Sequence, residues 1–184
     1  MRIWIAVLLA IVCCDDAALS QPIKHDVEVK PLIRNGTVVG CGIEYVAAFR
    51  DHTYRQGAVS GVSGSVTLMR PGNGREPTMM FKLLAVDFLG NDQGATQQFK
   101  VEHAKVFVEN SVLANGVPMA CENPLGGCSA HPGVEWFAVV KGVLRTNKLK
   151  VAYSRSREGL AVLVEMPVKV DTLESLSACI KQLR

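Results

Sequence analysis

The sequence predicts a mainly β protein: an antiparallel β-sandwich, immunoglobulin-like or a partly closed barrel, with one or two short helices, the last at the C-terminus. Three observations carry this expectation. Apolar and polar residues alternate in several separate runs, Gly, Pro and Asn turn signals divide those runs, and a helical spacing emerges only after Pro132. Six or seven short strands separated by such turns argue for an antiparallel sandwich or a partly closed barrel. No internal repeat or low-complexity tract is present.

The elements follow in order. Arg2, the apolar residues 3–12 and the small-residue pattern Ala18-Leu19-Ser20 have the features of an export leader cut before Gln21. Ten apolar residues are too few to span a bilayer as a helix. Cys13 and Cys14 also sit where a lipid-modified cysteine could sit, although Val12 precedes Cys13 where such leaders carry Gly, Ala or Ser. Residues 21–35 hold two prolines and scattered charges without sustained periodicity, so an extended, partly ordered lead-in is expected there. A single domain is expected over residues 36–184.

Asn35-Gly36 signals a tight turn. After it Cys41, Ile43, Tyr45, Ala47 and Phe49 alternate with more polar positions, and Ala58, Ser60, Val62, Gly64, Val66 and Leu68 repeat the period. Residues 70–74 break the chain into a hairpin-like connection, and residues 79–89, apolar on both faces apart from Lys82 and Asp87, suit a central strand. Phe99 and Val101 lie on one parity and Ala104, Val106 and Val108 on the other, so a bulge near Glu102 and His103 is expected. Asn115-Gly116 marks a further turn.

Trp136, Val139, Val140, Val143 and Leu144 form one stripe of a short helix, though their β-branched content also suits a strand. Leu149, Val151 and Tyr153, a turn at Arg157-Glu158-Gly159 and residues 160–166 read as a hairpin. Asp171 with Glu174 has the pattern of a helix N-cap and its capping-box partner, ahead of Leu173, Leu176, Ile180 and Leu183 on one face.

Four cysteines follow the leader, and in an oxidising compartment an even number favours two disulfides. Cys121 and Cys128 bracket a segment with one Pro and two Gly, whose tight reversal brings the sulfurs together; Cys41 with Cys179 follows by elimination. No C-x-x-C pair is present, so a zinc site is not expected.

The chain carries a net charge of +3 at pH 7, far from the dense basic composition of a nucleic-acid binder. Its cations are concentrated late: Lys141, Arg145, Lys148, Lys150, Arg155 and Arg157 have no acidic residue between them. They form a candidate basic edge for an anionic or acidic partner, and equally an edge that discourages strand-to-strand aggregation. Recognisable nucleophile, metal and phosphate motifs are missing, and Gly61-Val62-Ser63-Gly64-Ser65 lacks the lysine a phosphate loop needs. Asp51, His52, His131 and Glu135 are the residues that could form a site by converging in three dimensions, and a cavity between sheets could carry a small ligand. Asn35-Gly36-Thr37 matches a glycosylation sequon as well as a turn.

One stretch carries a family likeness. Cys121, Gly127-Cys128 and Ala130, an apolar segment ending near Leu144, Leu149-Lys150-Val151, and an alternating strand before a terminal helix together resemble the C-terminal half of invasion-associated locus B-like periplasmic proteins, over residues 117–183. The Cys pair is one residue wider than in that pattern, Cys179 is an addition, and the first half of the chain does not share it. The resemblance implies an exported bacterial β-sandwich without an established enzymatic site. The expectation is therefore a non-catalytic binding or accessory protein of the cell envelope, periplasmic or secreted, needing no cofactor and meeting a protein or glycan partner.

Overall fold

The computed structural model of the chain describes residues 18–70, 78–90, 95–106, 117–121, 127–130, 136–156 and 161–183. Their elements run β1 (Ala18–Ser20), β2 (Pro22–Arg34), β3 (Thr37–Asp51), β4 (Ala58–Met69), β5 (Thr78–Phe88), β6 (Thr96–Gln98), β7 (His103–Val106), β8 (Val117–Met119), β9 (Gly127–Ala130), α1 (Trp136–Thr146), β10 (Lys148–Ser154), β11 (Val162–Pro167) and α2 (Val170–Gln182). They form two sheets, not a closed barrel. Sheet I has the order β1-β11-β10-β7-β8; sheet II has β2-β3-β4-β5-β6, with β9 also paired to β5. All pairs are antiparallel except β1 with β11. The mainly β sandwich with a C-terminal helix is as expected.

Sheet II begins as a meander because its turns are built for hairpins. Asn35 and Gly36 both have positive φ, 50° and 76°, the conformation of a two-residue turn whose twist matches the strands. Residues 22–34, expected as a lead-in, are a full edge strand along β3. Only Val27 of β2 is buried, so its apolar pattern is weak, and an edge position tolerates Pro22 and Pro31.

The inward parity of β3, β4 and β5 brings Ile43, Tyr45, Phe49, Val62, Val66, Phe81 and Leu83 into one core. Tyr45 lies across Gly64, where a Cβ would strike both its ring and the Lys82 carbonyl, and the Tyr45 hydroxyl donates to that carbonyl at 2.9 Å. Burial raises the Tyr45 phenol well above its ordinary pKa.

The parity change expected as a bulge at Glu102 and His103 has a different origin. β6 belongs to sheet II and β7 to sheet I, so the chain crosses between sheets there. Val101, Ala104 and Val106 are all buried because the core lies on opposite sides of the chain before and after the crossing.

Residues 136–146 are helical, which decides against the strand reading. Val139, Val140 and Val143 are buried, whereas Leu144 is exposed. α2 starts earlier than its expected cap: Lys169 is the N-cap and makes no side-chain cap bond. Asp171 instead sits in the first turn, where its charge still favours the positive end of the helix dipole. Leu176 and Cys179 are the buried residues of α2.

Both disulfides form as paired from the sequence. Cys41–Cys179 ties the first half of β3 to α2 across a separation of 138 residues. Cys121–Cys128 ties the chain leaving β8 in sheet I to β9 in sheet II. No helix among the described residues is long and apolar enough to cross a membrane. The turns expected at residues 70–74, 115–116 and 157–159 lie wholly or mainly outside the described residues.

Candidate functional site

Three polar side chains share the inward parity at one end of sheet II: Asp51 ends β3, Ser60 lies near the start of β4 and Asp87 near the end of β5. Register places Ser60 directly opposite both Phe49 and Asp87. Two carboxylates turned into a sandwich need cations, and Arg155 supplies one from the other sheet, on the parity of Leu149, Val151 and Tyr153 in β10.

The contacts are direct. Arg155 Nη2 donates to Asp51 Oδ2 at 3.0 Å and to Asp87 Oδ1 at 2.7 Å, and Nη1 donates to Asp87 Oδ2 at 2.9 Å. The Asp87 pair is therefore bidentate. Ser60 Oγ donates to Asp87 Oδ1 at 2.9 Å, and Arg55 Nη1 lies 3.4 Å from the same oxygen. The guanidinium carbon stands 3.5 Å from the centre of the Phe99 ring and 5.2 Å from that of Tyr54. The Asp51 side chain is fully buried, Arg155 18% exposed and Asp87 15%.

These contacts set the electrostatics. Burial pushes the Asp87 carboxyl upward, but hydrogen bonds from Arg155 and Ser60, with the Arg155 and Arg55 charges, outweigh it and hold its pKa below the usual value. Tyr153 is raised, first by burial and then by the Asp51 charge. Its hydroxyl and Arg155 Nε are buried without a hydrogen-bond partner among the described residues. The arrangement is a neutral set of two carboxylates and two guanidiniums that locks sheet I to sheet II.

Of the four residues named for a converging site, Asp51 and His52 lie in different surroundings. Asp51 Oδ1 accepts the Tyr54 backbone N–H at 2.8 Å and its other oxygen faces Arg155, whereas His52 is exposed. His131 and Glu135 lie outside the described residues. Among those residues no group of three or more His, Cys, Asp or Glu is placed to hold a metal.

The expected basic edge is also rearranged. β10 is an interior strand, flanked by β11 and β7. Lys148 Nζ and Lys150 Nζ lie 2.6 and 2.9 Å from the two oxygens of Glu165 on β11. Burial raises the Glu165 carboxyl, yet hydrogen bonds and charge from the two lysines prevail and lower its pKa. Arg155 turns inward to the carboxylates, Lys141 and Arg145 lie exposed on α1, and Arg157 is outside the described residues. The run of cations is contiguous in sequence but divided in space, because alternate strand residues face opposite sides and Glu165 arrives from the neighbouring strand.

The outer face of sheet II carries an open groove of about 390 Å³ lined by Asp26, Glu28, Lys30, Glu44, Val46 and Ser63, among others. Glu28 stands directly opposite Glu44, a like-charge pair that disfavours the sheet on its own. Lys30 Nζ offsets it, 2.6 Å from Glu44 and 3.8 Å from Glu28, and the hydrogen bond to Glu44 raises the lysine pKa. Val46 is 53% exposed beside them.

The edge of β2 next to this groove is guarded. The Val27 N–H donates to its neighbour Asp26 Oδ1 at 3.1 Å, and the Val27 carbonyl accepts from Thr172 Oγ1 of α2 at 3.2 Å. Pro22 and Pro31 lack N–H groups, so neither position offers a donor to another chain. No family model, curated protein or solved structure matches the chain.

Proposed function

We propose that the chain is an exported, non-catalytic binding or accessory protein of the bacterial cell envelope, meeting a protein or glycan partner on the outer face of sheet II. The observation that carries this reading is a polar, solvent-open groove mounted on a sheet that three ties hold in place: two disulfides and the Arg155 cluster. Scaffolds of this kind hold their binding groups in fixed positions and lose little order on association. Paired cysteines accord with an oxidising compartment outside the cytosol. The likeness of residues 117–183 to invasion-associated locus B-like proteins points to the same compartment. Three carboxylates and one ammonium line the groove, two of the carboxylates within 4 Å of the ammonium, which favours a partner that presents cationic or hydroxyl groups and disfavours an anionic polymer.

The reading is tested by crosslinking in the native envelope, with the double variant Glu28→Gln/Glu44→Gln set beside Lys141→Glu on α1. Partner recovery is expected to fall at least tenfold in the first and to stay unchanged in the second. Loss confined to Lys141→Glu would move the surface to the basic side, and failure of the unaltered protein to capture any partner would count against binding altogether.

A further inference from the structure

Ala18, Leu19 and Ser20 supply the small-residue pattern of the expected cut, yet they also form β1. They pair in parallel with Val162, Leu163 and Val164 of β11, and Ser20 is only 6% exposed. Gln21 is the whole connection from β1 in sheet I to β2 in sheet II. With consecutive Cα atoms about 3.8 Å apart, one connecting residue holds the end of β1 within about 8 Å of the start of β2. The two sheets are thus joined covalently at this margin.

Hydrolysis after Ser20 would sever that join and carry β1 away with the leader. It would also leave β11 with no partner on its outer side among the described residues, beside Val162 and Val164, which are fully buried. A cut at this bond and a mature protein containing β1 exclude each other. The compact side chain of Ser20, buried where the sheets meet at a one-residue crossing, belongs to the folded body and not to a discarded peptide.

We propose that the leader is removed upstream of Ala18, so that the mature chain keeps β1 as the outer strand of sheet I. The apolar leader segment ends at Val12, and the bond between Cys14 and Asp15 places a small residue immediately before the cut, close to that segment's end. Its hydrolysis consumes one water, leaving a carboxylate on the leader and a free amine on Asp15. The four cysteines of the body are paired among themselves, so removing Cys13 and Cys14 leaves no unpaired thiol behind.

This inference rests on the export reading, and intact mass with N-terminal peptide mapping of protein made from the full-length chain in an exporting bacterial host separates the two. A first residue between 15 and 18, with a free amine, is the expected result; a lipid-bearing first residue at Cys13 or Cys14 overturns the cut after Cys14. A first residue at Leu19 or later overturns the inference and leaves export standing; retention of the entire leader overturns export itself, and the inference with it. Gln21→Pro gives a second readout, because proline following the bond blocks hydrolysis after Ser20 alone. Maturation of this variant is expected to proceed to the same N-terminus in unchanged yield, and accumulation of precursor would overturn the proposal.

Discussion

The two ends of β3 are fastened by opposite kinds of chemistry. Near its start Cys41 is bonded to Cys179, with α2 laid against β2 and β3 and Arg70 donating to the Leu183 carbonyl at 2.8 Å. At its finish Asp51 joins Ser60, Asp87 and Arg155 in a buried ionic cluster. The covalent tie acts largely by restricting the unfolded chain, whereas the ionic one acts only in the folded state and is opposed by desolvation. The first is indifferent to pH. The second fails asymmetrically: removing one member leaves charges stranded, while replacing all of them by apolar groups leaves none.

The largest expected effect comes from opening the covalent end. Cys41→Ala/Cys179→Ala should lower unfolding free energy by about 5 kcal/mol on the chain-entropy estimate for so long a loop. Denaturant titration measures it, and a loss near 1 kcal/mol would show that α2 packing alone secures this end.

Next comes Arg155→Ala, expected to cost about 3–5 kcal/mol by abandoning Asp51 and Asp87 in the interior. Lys148→Ala, which removes a half-exposed partner of Glu165, should cost less than about 1 kcal/mol. Equal losses would mean that the cluster is as well solvated as the surface pair.

The smallest effect is the pH dependence. Because the folded pKa of Asp87 lies below its unfolded value, its contribution is complete above the unfolded carboxylate range near pH 4 and disappears as pH falls through the folded value. Thermal melting between pH 6 and pH 2 should decline less steeply in Asp87→Asn than in the unaltered chain, and parallel curves would place the acid-sensitive group elsewhere.

The parts of the fold legible beforehand are those that bury one face. β3, β4, β10 and β11 alternate because each has a dry side, β5 stands out as an apolar run, and α1 shows its stripe because Val139, Val140 and Val143 meet the core. β2 escaped recognition because an edge strand with one buried residue has almost no alternation to read. The crossing at residues 99–102 looked like a bulge because parity reports which side faces the core, not which sheet a strand joins. In the sequence Arg155 is one of a run of cations. The signal that would have found its role lies in other segments: Asp51 keeps the parity of Phe49, Asp87 that of Ala85, and Arg155 that of Tyr153, so two inward carboxylates and one inward guanidinium were already aligned.

The 138-residue span of the Cys41–Cys179 bridge has a consequence for biosynthesis. Of the four paired cysteines a nascent chain presents Cys41 first, then Cys121 and Cys128, and its true partner Cys179 last. Oxidation in order of appearance would join Cys41 to Cys121 and strand the other two thiols. Correct assembly therefore requires either that the early meander shelter Cys41 until α2 arrives, or that a disulfide isomerase undo the wrong bond, a reshuffling that takes seconds to hours.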